Sequence, residues 1–275
     1  MNEYINEKYR DLFQTASMNE SNYFNAIPFP SISFDDFFNP DILEKVLSEF
    51  PDMSKRKDVV KFNMPAEQLK FAGKGENTFG EETKKFMHYL NSEPFLNFIA
   101  KLSGIKETLL GDPYYAGGGH HEIKKSGYLK IHSDFNFHPS TKLDRRLNVL
   151  IFLNKNWKEE YGGHFELWDL KMEKCEKKVL PKFNTMAMFT TTDTSWHGHP
   201  DPLNCPEGMS RKSLALYYYS NGRPDKFPSQ TTVFQERKGN DHDKRISASE
   251  PKYSPKKFLK DLTPPILIKL YRRFN

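Results

Sequence analysis

The chain has two cysteines, Cys175 and Cys205, in 275 residues. That is too few for a disulfide framework or for a zinc site built from cysteine alone. No stretch approaches the roughly 20 apolar residues that a membrane-spanning helix needs. The start, MNEYINEKYRDLF, is polar and charged and lacks the apolar core of a secretory signal. These absences lead us to expect a soluble, cytoplasmic protein.

An excess of one charge is missing too, once the net +5 is located. Six basic residues (Lys256, Lys257, Lys260, Lys269, Arg272, Arg273) and one acid (Asp261) fall between Ser254 and Asn275. Taking these from the totals of 41 and 36 leaves 35 of each sign elsewhere. A body that is electrically neutral gives no basic groove for nucleic acid. The tail itself, SPKKFLKDLTPPILIKLYRRF, pairs apolar residues with cations around Pro264-Pro265. This pattern suits packing on the domain, or peripheral contact with a membrane or a partner.

What the chain does have is aromatic residues, 23 Phe and 13 Tyr, and short runs of period two. Residues 1–26 read as a polar helix and a connection, and Pro28–Phe34 as an entry strand. A helix starts after Asn39-Pro40 and stops at Pro51. Apolar spacing predicts a further single helix from Glu81 to about Leu102. From about residue 112 to 220, short strands alternate with turn signals. The expected fold is therefore mainly β (α+β), a sandwich or jelly roll with flanking N-terminal helices. Residues 27–220 form the domain, 221–253 a polar connection, and 254–275 the basic amphipathic tail.

The chemistry concentrates in Tyr128-Leu-Lys-Ile-His132-Ser-Asp134. Side chains at i and i+2 of a strand share a face, so His132 and Asp134 point together, with Lys130 and Tyr128. One imidazole beside one carboxylate supplies two-thirds of the facial triad that holds Fe(II) and leaves coordination positions open. The third ligand must come from His138, His164, His197 or His199. His197 is favoured because it follows an apolar strand and precedes Arg211-Lys-Ser213 by fourteen residues. A dicarboxylate chelating the metal through its keto acid needs a cation at its far end. Arg211 offers a planar, permanently charged fork, and Ser213 a second donor on the same face.

With GYLKIHSD, RLNVLIFLNKNW, EEYGGHFELWD, FNTMAMFTTTDTSWHGHPDP and RKSLALYYYS, the chain resembles the Fe(II)- and 2-oxoglutarate-dependent dioxygenases. The likeness is to their prolyl 4-hydroxylase-like branch and spans roughly Gly117 to Ser220. It implies a double-stranded β-helix (cupin-like jelly roll), with His132, Asp134 and His197 as iron ligands. It also implies Arg211, Ser213, Tyr128 and Asn148 as the 2-oxoglutarate contacts, O2 as co-reactant and ascorbate as a candidate reductant. The implied reaction hydroxylates an unactivated C–H with release of succinate and CO2. A carboxylate at Asp134, where halogenating relatives have a small residue, points to hydroxylation.

The chain departs from the pattern of the hypoxia-sensing prolyl hydroxylases in one respect: Phe152 stands where they have a tyrosine that hydrogen-bonds 2-oxoglutarate. The substrate stays open between a peptidyl proline, an amino acid, a lipid and a glycan precursor. His121, Arg146 and Trp168 are candidates to line its pocket. The alternative is a non-catalytic jelly-roll protein that binds a metal or ligand. A cupin-like metalloenzyme without 2-oxoglutarate is disfavoured by Arg211 and Ser213.

Overall fold

The computed structural model describes residues 3–225, 228–240 and 243; the basic tail expected at 254–275 lies outside them. The elements in chain order are α1 (Leu12–Phe24), β1 (Ser31–Phe34), α2 (Pro40–Ser48), β2 (Val60–Met64), β3 (Glu67–Ala72), α3 (Glu81–Leu90) and α4 (Glu93–Ser103). They continue with β4 (Gly119–Ser133), β5 (Asp144–Phe152), β6 (Phe165–Trp168), β7 (Cys175–Val179), β8 (Thr185–Thr190), β9 (His197–His199), β10 (Ser210–Ser220) and β11 (Val233–Phe234).

The strands form a mostly antiparallel, nearly closed barrel in the order β1-β8-β5-β10-β4-β9-β6-β7. β4 makes the closure possible. Its first half pairs with β10 and its second half with β9, so one long strand belongs to both walls of the jelly roll. Alternation along the large wall then sorts the side chains. Leu147, Val149, Ile151, Met186, Met188, Leu214, Leu216 and Tyr218 face outward, into a core shared with the helices. Asn148, Phe152, Phe189, Ser213 and Tyr217 face inward.

The helices cover that outer face. α4 presents Phe95, Phe98, Ile99 and Leu102, and α3 presents Phe86, Met87 and Leu90. Burying a side chain of this size contributes about 1.5–3 kcal/mol. The single helix expected over Glu81–Leu102 is two. The chain leaves α3 at Asn91, and Ser92 begins α4 with Pro94 in its first turn. A proline has no N–H to donate, which suits a first turn and not a helix interior.

Two further elements differ from the expectation. Residues 60–72, to which the sequence reading assigned no structure, form the β2–β3 hairpin, which pairs with β4. Residues 228–240, expected within a polar connection, pack on the barrel. β11 pairs with the end of β4, setting Phe234 opposite His132. A buried ionic cluster fastens this strap. Lys130 Nζ lies 2.7 Å from Asp243 Oδ1, Arg237 Nε 2.8 Å from Asp243 Oδ2, and Arg237 Nη2 2.8 Å from Asp201 Oδ1.

Candidate metal centre and cosubstrate pocket

His132 lies at the end of β4, Asp134 just past it, and His197 opens β9, where it pairs with His132. One ligand atom from each lies within 4.8 Å of the others, and all three residues are buried. Each imidazole is fixed by its backbone. Nδ1 of His132 is 2.8 Å from the Lys130 carbonyl, and Nδ1 of His197 is 2.8 Å from the Ser195 carbonyl. A carbonyl only accepts, so the proton sits on Nδ1 and the Nε2 lone pairs point inward.

Those two Nε2 atoms face Asp134 at 3.5 and 3.4 Å. With no proton between them, lone pairs face a carboxylate, an arrangement that a cation completes. The donor set fits Fe(II): two imidazoles and one carboxylate on one side, with the other coordination positions open. Burial and the neighbouring His132 push His197 below its ordinary pKa, which keeps it neutral and able to ligate.

Asp134 is positioned by residues on β5. Its Oδ2 accepts from Arg145 Nη2 at 2.7 Å and from Asn148 Nδ2 at 2.9 Å. Burial opposes its ionisation, but the Arg145 charge prevails and holds its carboxyl well below the usual range. Arg145 is fully enclosed and stacks on Tyr217 (3.4 Å to the ring centroid) and Phe135 (4.5 Å). Asn148, expected to touch the cosubstrate, therefore also holds a metal ligand. Its Oδ1 is buried without a partner and remains available to a bound molecule.

A cavity of about 660 Å³ opens over the centre. Arg211 and Ser213 lie in its wall on adjacent inward positions of β10. Arg211 Nε donates to the Gly163 carbonyl at 2.7 Å, and its guanidinium stacks on Phe152 with 4.8 Å to the ring centroid. Gly163 has φ +70°, a conformation that strains other residues, and a Cβ there would meet Leu203 Cδ2 at 2.5 Å and Arg211 Cδ at 3.1 Å. Among the described residues no carboxylate pairs with Arg211, and burial lowers its pKa to about 9. A guanidinium taken out of water without a counter-ion is costly, so the site suits an anionic ligand. Phe152, in place of a tyrosine, gives this cation an aromatic face instead of a phenol.

Tyr128 is not brought to the site: its hydroxyl donates to the Pro65 carbonyl at 3.2 Å, and the cavity is lined by Leu129 instead. The cause is a register shift. Leu129 pairs with His199 and His132 with His197, so three steps on β4 match two on β9. Such a bulge reverses the face on which every earlier side chain falls. Lys130, displaced with Tyr128, points into the strap cluster.

Of the residues considered for substrate, His121 lines the cavity, with Nε2 donating to the Gly117 carbonyl at 2.9 Å. Arg146 does not. It pairs with Glu107 at 2.9 Å and donates to Ser220 Oγ at 2.8 Å. Trp168 also stands apart and donates to Glu166 at 2.9 Å. The other candidate third ligands resolve as well. His138 Nδ1 accepts from the backbone of Ser140 and Thr141, His164 meets Glu159, and His199 lines the cavity outside the metal group. The sequence reading missed Arg145, the Glu67–Lys70 pair in the cavity wall (2.5 Å), and Phe234, whose ring centroid lies 5.5 Å from that of His132. No sequence signal marks Arg145: three residues before Asn148 it would face the other way in a regular strand, and a register shift opposite Tyr218 and Tyr219 brings it inward.

A jelly roll that gathers a His/Asp/His set beside a buried arginine, unpaired among the described residues, has the donor set of a mononuclear non-haem iron centre next to a cation suited to a carboxylate. Residues 118–219 match the model of the 2OG-Fe(II) oxygenase superfamily. The chain is an oxygenase of the class that works with ferrous iron and 2-oxoglutarate.

In fold it is similar to a prolyl hydroxylase from Trichoplax adhaerens, solved with a hypoxia inducible factor oxygen degradation domain peptide. That match has 16% identity, covers 78% of this chain and 92% of that one, and has a TM-score of 0.56. A prolyl-4-hydroxylase from Pseudomonas putida matches at 10% identity, covering 75% and 100%, with a TM-score of 0.55. The non-haem α-ketoglutarate-dependent epimerase SnoN from nogalamycin biosynthesis matches at 11%, covering 84% and 89%, with a TM-score of 0.53. A search of curated protein sequences found no match. No helix of the described residues is long and apolar enough to cross a membrane.

Proposed function

We propose that this chain is a hydroxylase that inserts one oxygen atom of O2 into an unactivated C–H bond of a substrate held in the cavity. The other oxygen atom goes to 2-oxoglutarate, which leaves as succinate and CO2. The observation that carries this reading is the pairing of the His132/Asp134/His197 set with an arginine that has no carboxylate partner among the described residues. Bound iron and 2-oxoglutarate supply the oxidising power; the residues of the chain supply the geometry. His132 and His197 arrive with their tautomers set, and Arg145 and Asn148 hold the Asp134 carboxylate. Arg211 and Ser213 orient the cosubstrate by its far end.

The cavity wall limits the substrate. Phe62, Phe135, Tyr114 and Phe234 give it apolar and aromatic surface, while Glu67 and Lys70 add one polar pair. Its volume suits a small molecule or one side chain of a peptide, which leaves a peptidyl proline, an amino acid, a lipid segment and a glycan precursor as the candidate classes. The test is succinate release from 2-oxoglutarate under O2 with a panel of these. Fe(II)-dependent succinate formation that rises with one substrate class, and is lost in His132→Ala, supports the reading. No succinate in any condition, from protein that binds the metal, would favour a binding protein of the same fold.

A further inference from the structure

His199 lies two residues beyond His197 on β9, faces the cavity, and is only 3% exposed. Both of its ring nitrogens are buried without a hydrogen-bond partner. A buried polar atom left unsatisfied costs roughly 1–3 kcal/mol, so such a group is retained where a bound molecule completes it. His199 is not a member of the metal group.

Its surroundings select the ligand chemistry. The charged and titratable groups acting on it are Arg211 from β10, Lys70 from β3 and His132 from β4. Arg211 and Lys70 carry positive charge, so the space beside them suits an anion. Lys70 already has Glu67; Arg211 has no carboxylate among the described residues. Position agrees. β9 pairs with β6 through His197–Leu167 and Gly198–Glu166, a register that sets His199 level with Phe165, two residues from Gly163. The Arg211 side chain lies against Gly163. His199 is thus at the arginine end of the pocket, two residues along β9 from His197.

We propose that His199 donates a hydrogen bond to the distal carboxylate of the bound 2-oxo diacid, alongside Arg211. This rests on the 2-oxoglutarate reading above. A neutral imidazole has one N–H to give, and a carboxylate held by one arginine retains lone pairs to accept it. His199 is then a cosubstrate-binding residue and a determinant of the preference for a diacid over a monoacid.

The test compares two ligands on the full Fe(II)-loaded chain under anaerobic conditions. One is 2-oxoglutarate and the other is 2-oxovalerate, which has the same keto acid head and no second carboxylate. In His199→Leu the preference for the diacid should fall roughly ten-fold, the range of a hydrogen bond to a charged group. The 2-oxovalerate and iron affinities should be unchanged, and the metal-free variant should melt no lower than the parent. His199→Gln, which keeps a donor, should retain most of the preference. An unchanged preference in His199→Leu, an equal loss for both ligands, or a loss of iron would overturn the assignment. Arg211→Met separates the two readings. If it abolishes the preference while His199→Leu does not, only the role of His199 fails. If neither variant alters the preference, the 2-oxoglutarate pocket itself is wrong.

Discussion

The guanidinium of Arg145 sits 2.7 Å from Oδ2 of Asp134, with the arginine wholly enclosed between two aromatic rings. A metal ligand and a structural cation are thus one unit. Deleting Asp134 leaves a buried positive charge unpaired, which costs about 3–5 kcal/mol. Metal-free Asp134→Ala should therefore be markedly less stable than the parent in urea unfolding. Metal-free His132→Ala, which loses the Lys130 carbonyl contact and ring packing on His197 and Phe234 but leaves no charge unpaired, should cost less. Equal stabilities for the two variants would contradict the pairing.

His120 gives a pH prediction that does not depend on metal. It is buried against Phe50 and Phe79, with centroids 4.3 and 5.1 Å away, and burial pushes its pKa down to about 3. The unfolded chain takes up this proton near pH 6.5 and the folded chain resists it until about pH 3. Between those values the unfolded state holds more protons, so stability falls as pH falls. At pH 5 this one group accounts for about 2 kcal/mol. In urea unfolding at pH 7 and pH 5, His120→Leu should lose less stability on acidification than the parent; an identical loss would refute the assignment.

Arg211→Met should weaken 2-oxoglutarate roughly ten- to a hundred-fold, the range for a charge-assisted contact. Iron should remain bound with parental affinity, because the arginine touches Gly163 and Phe152 and no metal ligand. Anaerobic titration separates the two. Parallel losses of iron and cosubstrate would place Arg211 in the metal centre instead.

The strap over the centre depends on Lys130, Asp243 and Arg237. Asp243→Ala leaves the buried Lys130 without a carboxylate, while Arg237 keeps Asp201, so its cost should be near 3–5 kcal/mol. Lys130→Met combined with Asp243→Ala should cost less than the sum of the single changes, since the pair is removed together. Additive costs in a double-mutant cycle would show that the cluster is not coupled.

How much of this was legible in the sequence follows from which interactions are local. The jelly roll, the His132/Asp134/His197 set and the Arg211/Ser213 face depend on period-two patterns and chain order, and these can be read directly. Tyr128 was misplaced because a one-residue bulge between Leu129 and His132 reverses the alternation, and nothing in YLKIH marks it. The helix break at Asn91-Ser92 carried a signal in Pro94, but the apolar spacing runs straight through it. Arg145 reaches Asp134 through a register shift that no local pattern marks, and the 228–240 strap acts through partners far along the chain. Lys130 with Asp243 spans more than a hundred residues, a pairing composition cannot show. His199 was weighed only as a metal ligand; its two orphaned nitrogens become visible once the barrel encloses them.

Anaerobic addition of Fe(II) and 2-oxoglutarate to metal-free protein tests the central claim most directly. The account predicts a visible metal-to-ligand charge-transfer band that requires both additions, vanishes in His197→Ala and needs more 2-oxoglutarate in Arg211→Met. A parent protein that gives no band, or a His197→Ala variant that keeps it at full intensity, would contradict the iron centre described for this chain.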